Sequence, residues 1–337
     1  MTARTLPTYS THSPLWRSAA LVGLALTAVL LLGLAVRPTL TLHVLWDMVI
    51  PLLPLVFLVN PMIWRNVCPL ATLNTLTGVR ADRRVPSRGV LQSGWLVGIV
   101  LLAILVPARR FLFNENGTAL LVTIAAVAAL AIMLGLVFSR RSGFCNALCP
   151  VLPVEKLYGQ APLLRIPTAR CGECTVCSAS GCLDLAGGKS LAQSLGPARR
   201  STGWFRSPLG LFAAAFPGFI VGYFTSVNGP LSSAPAVDGH IGLWTLASLA
   251  TVLAVVMLFG IGWRVALPIL GGTALAAYYW FSAPAIAEAY NLSTTWGAIL
   301  RVATLAATAT WLVRALRQGR TGTPASRLAR ARPTGPS

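Results

Sequence analysis

Eight long runs of apolar residues alternate with short polar segments along this chain. Each run is nearly free of charged residues, and about 20 apolar residues suffice for a helix to cross the hydrocarbon core of a membrane. Eight transmembrane helices are therefore predicted, at approximately Ser18–Val36, Leu42–Val59, Leu91–Pro107, Ala119–Phe138, Leu209–Val227, Ile241–Trp263, Val265–Phe281 and Thr295–Val313. Only Arg264 separates the sixth run from the seventh, which predicts a very tight turn at that residue. Asp47, Pro51 and Pro54 within the second run predict a kinked helix.

The composition excludes most other classes of protein. Hydrophobic residues make up 55% of the 337 residues, charged residues make up only 10%, and the mean hydropathy is +0.71. Soluble domains carry roughly 25% charged residues and cannot bury this much apolar surface. Disordered chains, collagen and small secreted disulfide scaffolds need compositions that this chain lacks. We therefore predict an all-α membrane protein whose helices contact lipid.

Positively charged residues are distributed unevenly between the two sides of the predicted membrane. If the spans alternate in direction, 23 of the 27 Lys and Arg residues lie on the side of the N-terminus. The positive-inside rule places that side, with both termini, in the cytoplasm of a bacterial-type inner (plasma) membrane. The net charge of +19 does not indicate nucleic-acid binding, because these residues occupy the gaps between spans rather than one folded surface.

The polar segments divide the chain into four parts. Residues 1–138 form an N-terminal four-helix membrane half, 139–207 a cytoplasmic cysteine-rich loop, 208–313 a C-terminal four-helix half, and 314–337 a disordered basic tail. All seven cysteines fall on the predicted cytoplasmic side. Because the cytoplasm is reducing, structural disulfides are disfavoured there and metal binding is favoured.

Four of the cysteines lie within twelve residues of the cytoplasmic loop. The run is Cys171-Gly-Glu-Cys174-Thr-Val-Cys177, followed after four more residues by Cys182. Two-residue gaps let a compact turn direct three thiolates at one cluster, as in bacterial ferredoxins, although those continue with a three-residue gap and Cys-Pro. The alternative is a tetrahedral zinc site, but such sites usually pair two C-x2-4-C arms across a longer loop. The spacing therefore favours an iron–sulfur cluster.

A shorter cysteine motif occurs twice. The first motif, Trp64–Pro69, reads W-R-N-V-C-P and follows the second apolar run; the second motif, Cys145–Pro150, reads C-N-A-L-C-P and follows the fourth. The offset is 81 residues, and each copy comprises two spans and one motif, which indicates an internal duplication. Trp64 occupies the place of Cys145. Cys68 is either an ordinary helix end before proline or, as the repeat favours, a metal ligand.

Two Cys-Pro motifs after paired spans, followed by the ferredoxin-type run, resemble the membrane polyferredoxins of the NapH/NosR group over about residues 18–185. The resemblance implies [4Fe–4S] clusters and electron transfer between quinols and respiratory reductases or their maturation systems. By position, it implies as cluster ligands Cys68, Cys145, Cys149, Cys171, Cys174, Cys177 and Cys182. The chain departs from the family in having only one ferredoxin-type run, one incomplete motif and four further spans.

Seven thiolates do not complete two all-cysteine [4Fe–4S] clusters, which take four each. One possibility is a single cluster on the three closely spaced cysteines of the run and one remote cysteine. The other is two clusters, one of them a three-iron form or one with a non-cysteine ligand. We expect one [4Fe–4S] cluster and leave the second open. Arg165, Arg170 and Lys189 would offset its negative charge.

Four residues near the other ends of the spans carry weaker signals. His43 and His240 could be axial haem ligands, but histidines at an interface are more often packing residues, so haem is not expected. Asp47 and Arg301 lie inside spans and could pair or line a quinone pocket. Snorkelling of Arg301 to the interface is the alternative.

These features together predict an iron–sulfur electron-transfer protein of the inner membrane. We expect an electron carrier or a subunit of an oxidoreductase complex rather than a stand-alone enzyme, with no catalytic side chains of its own. Its partners would be a redox protein of a respiratory or maturation system and possibly quinone. A zinc-stabilised transporter or assembly factor and a thiol-based redox sensor are the alternatives.

Overall fold

The computed structural model describes residues 14–77, 86–138, 143–164, 191–192, 194–196, 198 and 202–320. Helices account for nearly all of these residues, and no β-strand occurs among them. The α-helices are Pro14–Val36, Pro38–Val44, Ile50–Val59, Pro61–Val67, Pro69–Thr77, Arg88–Ala108, Gly117–Val137, Leu152–Tyr158, Pro208–Thr225, Ala234–Phe259, Trp263–Ala289 and Thr294–Arg320. The predicted all-α class is therefore confirmed for this part of the chain.

In the described part of the chain, eight helical segments are long and apolar enough to cross a membrane, which is the number that the sequence predicts. They are Leu15–Val36, Pro38–Val59, Ser93–Phe113, Gly117–Val137, Pro208–Thr225, Leu231–Phe259, Trp263–Ala289 and Thr294–Gly319, called here the first to the eighth span. The fifth and seventh spans are the most buried, and the first and sixth the least. The outer spans expose many Leu and Val side chains, which suits helices surrounded by lipid.

The turn between the sixth and seventh spans differs in position from the prediction. The sixth span ends at Gly260, whose φ of 62° is left-handed and therefore favours glycine at a helix C-terminus. The seventh span begins at Trp263, so Arg264 lies in its first turn and not in the connection. The connection is fixed from the side by Trp204, whose indole N–H donates to the Ile261 carbonyl over 2.8 Å.

The second span is interrupted where its charged residue lies. A π-helical turn, Leu45–Val49, contains Asp47 and precedes Pro51 and Pro54. Proline and π-turns are the usual causes of helix kinks, and the predicted kink itself stays a prediction. The hydroxyl of Tyr279 on the seventh span donates to the Pro51 carbonyl over 2.8 Å, so a neighbouring span covers this segment.

The ends of the spans form two faces. Short connections make the first and second spans antiparallel, and likewise the third and fourth. Cys68 follows the second span, Cys145 and Cys149 follow the fourth, and we call the side that carries these three cysteines the motif face. On the opposite face a second π-turn, Arg109–Phe113, ends the third span. Trp46 donates its indole N–H to the Phe113 carbonyl over 3.2 Å and so joins the two π-turns.

Candidate functional site

The two Cys-Pro motifs have nearly identical backbone geometry. Cys68 has φ −55° and ψ 123°, and Cys149 has φ −58° and ψ 122°. A following proline disfavours helical dihedrals at the preceding residue, so each cysteine ends a helical turn in an extended conformation. Pro69 then begins the helix Pro69–Thr77, while Pro150 lies two residues before the helix Leu152–Tyr158. Each motif is therefore a sharp corner with the cysteine at its bend.

The turns that lead into the two corners differ slightly. The Cys68 N–H donates to the Trp64 carbonyl over 2.7 Å, an α-helical bond. The Cys149 N–H donates to the Phe144 carbonyl over 3.0 Å, and the turn Phe144–Leu148 is π-helical. The second motif thus holds one more residue in its turn. π-turns are frequent at functional sites.

A glycine in the first span of each copy lets the corner approach closely. A Cβ on Gly23 would collide with the Val67 carbonyl, and a Cβ on Gly98 would lie 3.2 Å from the Leu148 carbonyl oxygen. Val67 and Leu148 are themselves equivalent under the 81-residue offset of the repeat. Without a Cβ, the backbones of span and motif pack in direct contact in both copies.

The segments that follow the cysteines cross over to the other copy. Helix Pro69–Thr77 packs mainly along the fourth span, whereas helix Leu152–Tyr158 contacts the second, third, fifth and seventh spans. Asn74 is fully buried and its amide donates to the Ala131 carbonyl of the fourth span over 2.8 Å. The segment after each cysteine therefore contacts a span of the other copy.

Arg65 and Asn146, which occupy equivalent positions of the two motifs, are in direct contact. The Arg65 Nη2 donates to the Asn146 Oδ1 over 2.7 Å, and the two residues are 81 positions apart, which is the repeat offset. Both are 3% exposed. Two copies related by a twofold axis would make such a contact between equivalent residues close to that axis.

The three cysteines of the motifs lie in one apolar cluster. Cys145 is buried with Phe144 and Ala131, and Cys68 and Cys149 pack against them. Burial raises the pKa of the Cys149 thiol well above its ordinary value, and Glu155, Cys145 and Cys68 raise it further. Such a thiol stays protonated and unreactive at neutral pH unless a metal ion displaces its proton.

The structure brings together three of the seven candidate ligands but does not show a metal centre. Among the described residues, no group of three or more His, Cys, Asp or Glu residues is arranged to hold one metal ion. The other four candidates, Cys171, Cys174, Cys177 and Cys182, lie outside the described residues. The soft donor set suits iron–sulfur or zinc, and the assignment of all seven cysteines as ligands stays a prediction.

Sequence reasoning did not identify three buried charged residues near the motifs. Arg65, Glu155 and Lys156 are 3%, 4% and 1% exposed. The Lys156 Nζ lies 4.8 Å from the centre of the Trp95 ring and donates to the Ser194 hydroxyl over 2.7 Å. Apart from Arg165, Arg170 and Lys189, the sequence analysis interprets the Lys and Arg between spans only as topological signals. The alignment of the repeat, which sets Arg65 opposite Asn146, was the available clue.

Side chains on the opposite face have local partners. His43 and Asp47 form a 2.8 Å salt bridge, and the His43 ring lies 5.1 Å from that of Tyr290. The Arg301 guanidinium lies over the Trp280 ring at 4.5 Å. Among the described residues, Asp47 forms its salt bridge with His43. The sequence had left open a pair between Asp47 and Arg301 instead.

His240 lies elsewhere on that face, 2.8 Å from the Thr225 hydroxyl. No known family model, curated protein or solved structure matches this chain, so the site is interpreted from its own geometry.

Proposed function

We propose that this chain is a membrane-bound iron–sulfur electron-transfer protein with its redox site at the motif face. The observation that carries the proposal is the convergence of Cys68, Cys145 and Cys149 from two corners of matching geometry. Corners that are far apart in sequence would place remote thiolates beside the closely spaced run Cys171–Cys182, as ferredoxins do with the cysteine that precedes proline.

The chemistry of the Cys149 thiol supports metal binding over redox sensing. A sensor cysteine needs a low pKa and solvent access. Cys149 instead has a raised pKa in an apolar surrounding, with Glu155 adding negative charge. Deprotonation there requires a cation that compensates the thiolate charge, and a bound metal is the strongest such cation.

The resemblance to polyferredoxins supports iron–sulfur over zinc, and a bound [4Fe–4S] cluster would supply one-electron transfer. The protein's contribution is to hold the thiols, exclude water and provide the surrounding charges. We place the motif face in the cytoplasm on the distribution of Lys and Arg. The partner would be a redox protein of a respiratory or maturation system, with quinone as a possible lipid-soluble partner.

The test is the metal content of the full chain purified anaerobically from membranes. Iron and acid-labile sulfide in at least one cluster equivalent, with brown absorbance, support the proposal. Cysteine-to-alanine variants at Cys145 and Cys149 should lower both. Ser248→Ala, which removes one side-chain hydrogen bond to Ala214 in the other half, is the control and should retain wild-type iron. Stoichiometric zinc without iron would instead establish a structural metal site.

A further inference from the structure

Two consecutive arginines, Arg109 and Arg110, begin the π-turn that ends the third span on the face opposite the motifs. Both side chains are half-buried, and they lie in the last turn of the span. A charged side chain inside a membrane span is costly unless it has a partner of opposite charge or reaches the interface. The contacts of the two guanidinium groups therefore show how far the protein itself meets this cost.

The Arg110 guanidinium is held in place by the connection that follows the fifth span. Its Nη1 donates to the Asn228 Oδ1 over 2.9 Å, and the Gly229 N–H donates to the Arg110 carbonyl over 3.0 Å. The guanidinium also lies over the Tyr223 ring at 4.4 Å. Its Nε is buried and has no hydrogen-bond partner in the part of the chain that the structure describes. Arg110 is thus fixed in position while one of its donors is unused.

The Arg109 guanidinium packs over the Trp46 ring at 5.1 Å, and the Trp46 indole is itself bonded to the Phe113 carbonyl. Within the described residues the Arg109 side chain makes no hydrogen bond and no salt bridge, so its five N–H donors are available. Arg109 and Arg110 also lie within electrostatic range of each other. Two like charges so close together each make the other less favourable.

No carboxylate of the described residues compensates this pair. The acidic residues on this face are Asp47, Glu115, Asp238 and Glu288. Asp47 is bonded to His43, the other three are exposed, and none of the four forms a salt bridge with either arginine. The positive charge of the π-turn is therefore left for an anion from outside the chain.

Two tyrosines add hydroxyl groups around the arginines. Tyr223 lies under Arg110, and Tyr278 on the seventh span lies within electrostatic range of Arg109 and of Tyr223. Phe224 contacts both, with ring centres 5.2 Å from Tyr223 and 5.3 Å from Tyr278. Neither hydroxyl has a hydrogen bond to another described residue. The cluster therefore combines N–H and O–H donors with a net positive charge, which suits an oxyanion.

We propose that Arg109 and Arg110, with the hydroxyls of Tyr223 and Tyr278, bind a phosphate group on the face opposite the motifs. A guanidinium presents a planar fork of donors that matches phosphate oxygens, and such charge-assisted bonds are among the strong ones. Lipid phosphates lie at the ends of the spans, so the headgroup of an anionic phospholipid is the expected source. The site lies on the other face from the cysteines and does not depend on iron.

An arginine that only snorkels to the interface would also meet lipid phosphates, but it would do so anywhere on this face. Arg37 provides that comparison, because it lies between the first two spans on the same face and its side chain is exposed. Arg37→Gln, Arg109→Gln and Arg110→Gln therefore remove the same charge outside and inside the proposed site.

A second pair of variants leaves every charge in place. Tyr278→Phe keeps the ring and removes one hydroxyl of the cluster. Tyr290→Phe is its matched control on the same face, because Tyr290 packs on His43 instead.

The full-length protein is purified in an uncharged, phosphate-free maltoside detergent, and its thermal unfolding midpoint is titrated with three probes. Dioctanoyl phosphatidylglycerol carries acyl chains and phosphate, dioctanoylglycerol carries the chains alone, and inorganic phosphate carries the group alone. A ligand that binds only the folded state raises the midpoint. We expect phosphatidylglycerol to raise it, and Arg109→Gln and Arg110→Gln each to weaken the apparent affinity by about tenfold. Tyr278→Phe should weaken it by about threefold, and Arg37→Gln and Tyr290→Phe should keep the wild-type affinity.

The probes also identify the source of the phosphate group. Stabilisation by phosphatidylglycerol but not by inorganic phosphate identifies the lipid headgroup, and stabilisation by inorganic phosphate identifies the free anion; both results support the site. A wild type that neither probe stabilises would overturn the proposal. So would equal stabilisation by dioctanoylglycerol, because the chains alone would then account for binding, or equal losses in Arg37→Gln and Arg109→Gln. If the arginine variants do not fold, an unchanged affinity in Tyr278→Phe overturns it.

Discussion

The close contact between span and corner predicts that alanine is harmful at two glycines and beneficial at a third. Gly23 in the first span faces the Val67 carbonyl, and Gly98 in the third span faces the Leu148 and Cys149 carbonyls. A Cβ on Gly242 of the sixth span would meet no atom within 4 Å. The three variants Gly23→Ala, Gly98→Ala and Gly242→Ala therefore make the same chemical change in contrasting surroundings.

The expected magnitudes follow from two opposing effects. Replacing a helical glycine by alanine stabilises a helix by up to about 1 kcal/mol, and Gly242→Ala should show this gain alone. Forcing a methyl group into a packed contact costs about 1–3 kcal/mol. At Gly98 the new Cβ lies 3.1–3.2 Å from two carbonyl oxygens, so a small shift relieves it. At Gly23 the backbone itself must move, and the net loss should reach about 2 kcal/mol.

The assay is the midpoint of unfolding in a detergent titration, followed by tryptophan fluorescence of each purified variant. The predicted order of stability is Gly242→Ala first, then Gly98→Ala, then Gly23→Ala. Iron content measured on the same samples should fall in parallel for the two glycines that contact the motifs. Equal stability of Gly23→Ala and Gly242→Ala would show that the corner does not pack on the first span in this way.

Three further predictions concern the cysteines and the topology. Alanine at any one of the three closely spaced cysteines of the run should abolish the visible chromophore, as measured by absorbance; these are Cys171, Cys174 and Cys177. In metal-free protein, Cys149 should be alkylated more slowly than an ordinary thiol at pH 8, because its raised pKa leaves less thiolate. The Glu155→Gln variant removes a negative neighbour, lowers the pKa of Cys149 and should speed the alkylation. An unchanged alkylation rate in that variant would refute the electrostatic account. A reporter fused after Ser337 should be active only as a cytoplasmic type, and alkaline-phosphatase activity there would reverse the orientation inferred from charge.

The spans could be predicted from the sequence because a membrane imposes a length and a composition on each helix. The ends of the spans were harder. The sequence predicts Arg264 in the connection between the sixth and seventh spans because it is the one charged residue between two apolar runs. A charged residue is nevertheless tolerated in the first turn of a helix that begins at the membrane interface. The break follows Gly260, which can adopt the left-handed dihedral that ends the sixth span.

The candidate site was predictable in its parts but not in its arrangement. Spacing identified the Cys-Pro repeat, and proline restricts the cysteine dihedrals in both copies in the same way. Which residues of the two copies contact each other depends on tertiary packing, and no local sequence pattern encodes those contacts. For that reason the sequence analysis counts Arg65 and Lys156 only as charges between spans and assigns no role to Glu155, although the fold buries all three.

The two copies of the repeat agree at residues that shape the backbone and differ at residues whose side chains carry chemical groups. They agree at the corner cysteines, at the following prolines and in the use of a glycine to admit the corner, and these features define the backbone geometry. They differ at Trp64, which packs edge-on against Phe57 at 6.4 Å, whereas its equivalent Cys145 lies in the cysteine cluster. They differ again at Arg65 and Asn146. Because the side chains at the contact between the two copies are unequal, the repeat would hold one asymmetric site rather than two equivalent sites. The odd number of cysteines, seven, accords with this arrangement.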